Sequence, residues 1–129
     1  FSYSNLQLFE ENENVRVEFT LKNKGNTDGS EAIQLYVGDR TSTVVKSIKE
    51  LKAFKKVFLK SGEEKKISFI LAKEDFSYYN VMLHSWVIEN GVYDIYVGAS
   101  SRDIRLKGSI LYENDMPYSM QSTNEAMIG

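Results

Sequence analysis

The stretch from Gln34 to Leu71, QLYVGDRTSTVVKSIKELKAFKKVFLKSGEEKKISFIL, alternates apolar and polar positions and is broken by two turn signals. In its second half Ile67, Phe69 and Leu71 alternate with Lys66, Ser68 and Ile70. At two residues per repeat this sends one set of side chains to a core and most of the other to water, the pattern of a half-buried strand. Ser61-Gly62, between Leu59 and the charged run Glu63 to Lys66, is a dipeptide suited to chain reversal, so the unit reads as a hairpin. Ile48, Leu51, Phe54 and Phe58 also fall at spacings of three and four, which would allow a short amphipathic helix over Ser47 to Leu59. The neighbouring alternation favours strand.

The rest of the chain repeats this texture. Leu6 and Leu8 alternate in an opening strand. After an acidic, amide-rich break, Val15, Val17, Phe19 and Leu21 alternate with Arg16, Glu18, Thr20 and Lys22. Asn23 to Gly29 holds residues that tolerate positive φ and reads as a turn into Ala32 to Val37, which makes the second and third strands expected neighbours. Ala72 to Tyr79 reads as one short helical turn crossing between sheets. Trp86 to Ile88, Asn90-Gly91 and Val92 to Val97 read as a further hairpin, since Asn-Gly flanked by apolar segments is a strong reversal signal. Ile104, Leu106 and Ile110 complete about seven short strands. With no α/β alternation, these point to an all-β, immunoglobulin-like sandwich of two packed antiparallel sheets. Glu113 to Gly129 is polar and aperiodic, a tail or the start of a connection.

A chain of 129 residues suits one domain. Its 16 basic and 18 acidic residues are mixed along the chain, so no long-range field argues for nucleic acid or an anionic membrane. The lack of cysteine removes disulfides, thiolate nucleophiles and the usual structural zinc sites, leaving the fold to its core. No run approaches a membrane span, and FSYSNLQLF lacks the features of a secretion signal. Without an initiator methionine the chain is expected to be a fragment of a longer polypeptide, whose compartment stays open with the cytoplasm favoured.

Candidate chemistry is sparse. His84 is the only histidine and has neither a second ligand nor an obvious carboxylate orienter. Asn26 and Asp28 could donate oxygens to calcium, but the spacing of a calcium loop is missing and a turn explains them better. Asp39, Asp75, Asp94 and Asp103 fall in separate loops or strands, with nothing to raise one pKa as glycoside hydrolysis requires. Lys46, Lys49, Lys52, Lys55, Lys56, Lys60, Lys65 and Lys66 make the central segment basic, and Phe54 and Phe58 could add stacking surfaces for a nucleic acid. Solvated lysines that blunt edge pairing are the simpler explanation. Trp86, Tyr78, Tyr79, Tyr93 and Tyr96 read as core and interface aromatics, with a sugar-stacking platform as the alternative that their exposure decides.

Taken in order, VEFTLKNKG from Val17, EAIQLYV from Glu31, IKELKAFKKV from Ile48 and GVYDIYVGASS from Gly91 closely resemble the fibronectin type III-like domain of glycoside hydrolase family 3 enzymes, mostly β-glucosidases. The resemblance runs from about Phe1 to Leu111. Its most specific piece is KELKAFKKVFLKSGEEKKISF, where the family usually has a proline before the first lysine, a glycine at position 53 and a proline at position 61. These departures suggest a divergent member. Met116 to Thr123 is similar to the short connection that follows this domain in some members.

The resemblance implies a fibronectin type III-like β-sandwich over residues 1–112, with 113–129 as a tail or connection to the rest of a parent enzyme. The family's aspartate nucleophile and glutamate acid/base lie in other domains, so no catalytic, cofactor-binding or metal residue carries over. It further implies a non-catalytic accessory domain whose partners are the catalytic domains of the same polypeptide, with homo-oligomer contacts also open. A carbohydrate- or surface-binding module is the alternative, and an adhesion-type immunoglobulin-like domain a third.

Overall fold

A computed structural model of the chain describes residues 1–39, 49–114 and 116–119. Lys46, Ser47, Ile48 and Met120 to Gly129, which figure in the reading above, lie outside the described residues. Among the described residues ten strands run in chain order: β1 (Ser2–Glu11), β2 (Asn14–Lys22), β3 (Gly29–Asp39), β4 (Glu50–Leu59), β5 (Glu64–Leu71), β6 (Tyr78–Asn80), β7 (Ser85–Val87), β8 (Gly91–Ser100), β9 (Asp103–Glu113) and β10 (Met116–Ser119). A 3₁₀ turn, Lys73–Phe76, lies between β5 and β6. One sheet has the order β1-β2-β5 and the second β10-β9-β8-β3-β4, with antiparallel pairing throughout. The all-β, immunoglobulin-like sandwich expected from the alternation is what the chain forms.

Inward positions follow the period of two. Val15, Val17, Phe19 and Leu21 of β2 are buried, as are Ile67, Phe69 and Leu71 of β5 and Ile33, Leu35 and Val37 of β3. From β8 and β9 come Tyr93, Ile95, Val97, Leu106, Ile110 and Tyr112. Each large apolar side chain removed from water contributes roughly 1.5–3 kcal/mol against the entropy of ordering the chain. The rings of Tyr3, Phe19 and Phe69 stack in sequence inside the three-stranded sheet. Gly108 sits at an inward position of β9 where a Cβ would lie 2.7 Å from Leu8 Cδ1, so its bare backbone lets β1 pack onto β9.

Three connections differ from expectation. Ser61-Gly62 does not close a hairpin: β4 pairs with β3 and β5 with β2, so this reversal carries the chain across the core. The Asn23 to Gly29 turn also changes sheets, and β2 and β3 are therefore not sheet neighbours. Asn90-Gly91 likewise joins strands that do not pair, because β7 pairs with β6 while β8 lies between β3 and β9. The turn chemistry reverses the chain in each case; packing of the next apolar face decides which sheet it joins. Where Leu51, Phe54 and Phe58 admitted a helix, β4 is a strand that buries Val57 and Leu59 and leaves those three side chains outside. Within the segment expected as a tail or connection, Met116–Ser119 pair with Glu113 to Ile110 of β9.

The two cross-core turns are locked by one side chain. Asn23 is 3% exposed; its Nδ2 donates to the carbonyls of Thr27 (2.9 Å) and Leu59 (3.1 Å), and its Oδ1 accepts from Gly25 N–H. Ser61 adds a backbone N–H to Asp28 Oδ1 and a hydroxyl to Gly25 carbonyl. A proline at position 61 would have no N–H for the first of these. In this chain the serine therefore holds the turn by hydrogen bonds.

Candidate functional site

Most of the acids that a hydrolytic reading would draw on are engaged in local structure. Asp75 accepts from Ala72 N–H and closes the 3₁₀ turn. Asp94 is buried on the outward face of β8, accepts from Ser109 Oγ at 2.9 Å, and lies 3.9 Å from Lys107 Nζ. Asp103 takes a two-pronged interaction from Arg105, whose hydrogen bonding holds its carboxyl below the usual range, the wrong direction for a general acid. Asp39 ends β3, opposite Tyr93 in the register. Asp28 accepts from Ser61, and Asn26 is exposed in the same turn. Among the described residues no group of three or more His, Asp or Glu side chains could hold a metal ion.

His84 is an exposed turn residue. It takes φ 51°, a region that histidine, asparagine and aspartate enter more readily than most residues, in the reversal between β6 and β7. Leu83 N–H donates to Asn80 Oδ1 in that turn. The lysines of the central segment divide between sheets. Lys55 of β4 donates to Ser68 carbonyl of β5 and lies over the Phe69 ring, bridging the open side between the sheets. Lys49 lies over the Tyr96 ring, and Lys66 of β5 sits 3.9 Å from Glu18. Glu18 itself is buried against Arg16, Ser68 and Lys66 and lines a depression of about 230 Å³ together with Asn5, Gln7 and Thr20. Its carboxylate is already satisfied by this chain's own cations.

The aromatics divide into two sets. Tyr93 is core: with Phe76 and Tyr112 it forms a three-ring cluster, centroids 4.8 to 5.7 Å apart, beneath the 3₁₀ turn. Its hydroxyl donates to Glu89 carbonyl, and Tyr112 donates to Glu13 carbonyl. Burial pushes both phenols well above their usual pKa. Tyr96 is half-buried between Lys49 and Lys107. Tyr78, Tyr79 and Trp86 are exposed on β6 and β7, with Tyr79 and Trp86 edge to face at 74°. Sequence reading overlooked their companions Val81, Met82 and Leu83, all exposed at the tip of that hairpin. The signal was present, for Phe76 to Ile88 holds no Asp, Glu, Lys or Arg. A second apolar outcrop, Leu51, Phe54 and Phe58, lines edge strand β4.

Two antiparallel sheets joined by cross-core turns, with apolar outcrops on one hairpin and one edge strand, define an immunoglobulin-like module. The family model for the fibronectin type III-like domain matches residues 31–101, and the chain belongs to that family. It is 44% identical over 114 residues to thermostable β-glucosidase B of Acetivibrio thermocellus, a match covering 85% of this chain and 15% of that protein. Among solved structures it is similar to β-glucosidase 3B of Thermotoga neapolitana, in complex with α-D-glucose, with TM-score 0.80 and 32% identity over 92% of this chain and 16% of that one. The GH3 β-glucosidase of Bifidobacterium adolescentis gives TM-score 0.80 and 32% identity, covering 85% of this chain and 16% of that chain. The chain thus spans about one sixth of the length of the relatives it matches.

Proposed function

We propose that this domain is a non-catalytic accessory part of a β-glucosidase, packed against the catalytic domains of the same polypeptide and stabilising them, while hydrolysis of β-glycosidic bonds is carried out elsewhere in the parent. The observation that carries this reading is the match itself: nearly the whole chain corresponds in sequence and backbone to a segment of about 15% of GH3 β-glucosidases. The site geometry agrees, since glycoside hydrolysis needs two carboxylates facing one bond with one pKa raised, and Asp103 is held low by Arg105. The test uses the 129-residue chain alone, assayed with aryl β-glucosides and titrated with gluco-oligosaccharides. Neither turnover nor binding is expected. Turnover would place catalysis inside the domain, and saturable binding would make it a carbohydrate-binding module.

A further inference from the structure

We propose that the β6–β7 hairpin is the element that seats this domain on the rest of its polypeptide, its apolar tip entering a recess on the catalytic domains; the proposal rests on the accessory-domain reading above.

Composition comes first. In a chain that is 26% charged, Phe76 to Ile88 carries no acid, lysine or arginine. It nevertheless holds half of the exposed large apolar side chains among the described residues: Tyr78, Tyr79, Val81, Met82, Leu83 and Trp86. Met82 is 89% exposed and Trp86 69%. Depletion of charge with enrichment in Tyr, Trp and Met is the signature of the buried centre of a protein interface, where aromatic anchors supply most of the binding energy.

Architecture gives the second reason. β6 and β7 form a two-stranded sheet that pairs with neither sheet of the sandwich. Two strands alone are marginal in water and need a surface to pack on. The hairpin's base is nevertheless fixed, because Phe76, immediately before β6, is locked between Tyr93 and Tyr112. A rigid base and an unsupported apolar tip suit an element that docks.

The length of the relatives selects the occupant. They extend over about six times the polypeptide matched here, and on the accessory-domain reading that polypeptide is covalently tethered to this domain. Tethering raises the effective concentration of an intramolecular partner into the millimolar range, ahead of a second copy at ordinary dilution. A sugar fits less well, since Tyr79 and Trp86 meet at 74° and offer no common flat face.

The test is oxidative footprinting of the folded full-length parent with dilute hydrogen peroxide, reading Met82 sulfoxide by peptide mass spectrometry against the urea-unfolded parent. Met82 is expected to oxidise at least tenfold more slowly in the folded parent, independently of protein concentration. Oxidation at the unfolded-chain rate would overturn the proposal. Protection that disappears on dilution would assign the tip to a second copy, and protection that appears only with added oligosaccharide would assign it to sugar; either result also overturns it. In parallel, the melting temperature of the parent is compared with those of Met82→Glu and of a parent lacking the domain. The proposal expects Met82→Glu to lower it by several degrees. A drop on deletion without a drop for Met82→Glu ends the hairpin assignment and keeps the accessory reading; no drop on deletion ends both.

Discussion

Replacing Asn23 with alanine isolates the contribution of the lock between the two cross-core turns. The variant loses three neutral hydrogen bonds, to Thr27, Leu59 and Gly25, at a site 3% exposed where water cannot readily replace them. The backbone bonds of Asn23 with Gly62 and Glu63 remain. At about 1 kcal/mol for each bond lost, the expected destabilisation is about 3 kcal/mol. With an unfolding entropy near ~2.1 cal/mol/K per residue, 129 residues give ~0.27 kcal/mol/K, and the melting temperature should fall by about 11 °C. Urea unfolding of the 129-residue chain measures the free energy directly, with an unchanged m-value showing that the denatured state is unaltered. Asn23→Asp is the sharper companion: it keeps an acceptor for Gly25 but turns a carboxylate oxygen toward two carbonyls, and should cost at least as much as alanine. A loss below about 1 kcal/mol for Asn23→Ala, or an Asp variant as stable as the parent sequence, would refute the argument.

Three further outcomes follow from the same structure. Gly98→Ala places a Cβ 2.2 Å from the Asp103 carbonyl, where only backbone could move, and should cost about 3 kcal/mol or more by urea unfolding; Gly108→Ala meets the movable end of Leu8 and should cost roughly 1 kcal/mol. Burial raises the phenol pKa values of Tyr3, Tyr93 and Tyr112 above the unfolded value of about 10, so the stability they contribute is complete below about pH 10 and is lost as pH rises further. Alkaline titration of the unfolding free energy should show this loss, and Tyr93→Phe should make it shallower. In the 129-residue chain, Phe54→Lys and Trp86→Ala should each change stability by less than about 0.5 kcal/mol, since both side chains stand outside the core; a larger cost by urea unfolding would make them structural.

The strands were legible because burial follows a period of two. Val15 to Leu21 and Ile67 to Leu71 turn the predicted side chains to the core. Pairing was not legible. Ser61-Gly62 and Asn90-Gly91 encode a reversal of direction, and the same local conformations serve a hairpin or a crossing between sheets. The choice depends on partners far along the chain, such as β2 for β5 and β3 for β8. The site shows the same division. His84 was legible as an isolated residue, and the structure gives it a backbone role at positive φ. Exposure of Tyr78, Tyr79 and Trp86 against burial of Tyr93 could not be read so, because aromatic residues serve cores and interfaces alike. Only the charge-free run around them carried that signal.

On the proposed function, this domain stabilises a β-glucosidase without performing its chemistry. Its most direct test is calorimetry of the full-length parent beside a version lacking these 129 residues, with hydrolysis of an aryl β-glucoside measured on both. Removal is expected to lower the melting temperature, and activity to fall with it. Unchanged stability and activity, with loss only of binding to polymeric carbohydrate, would contradict it and make the domain a targeting module.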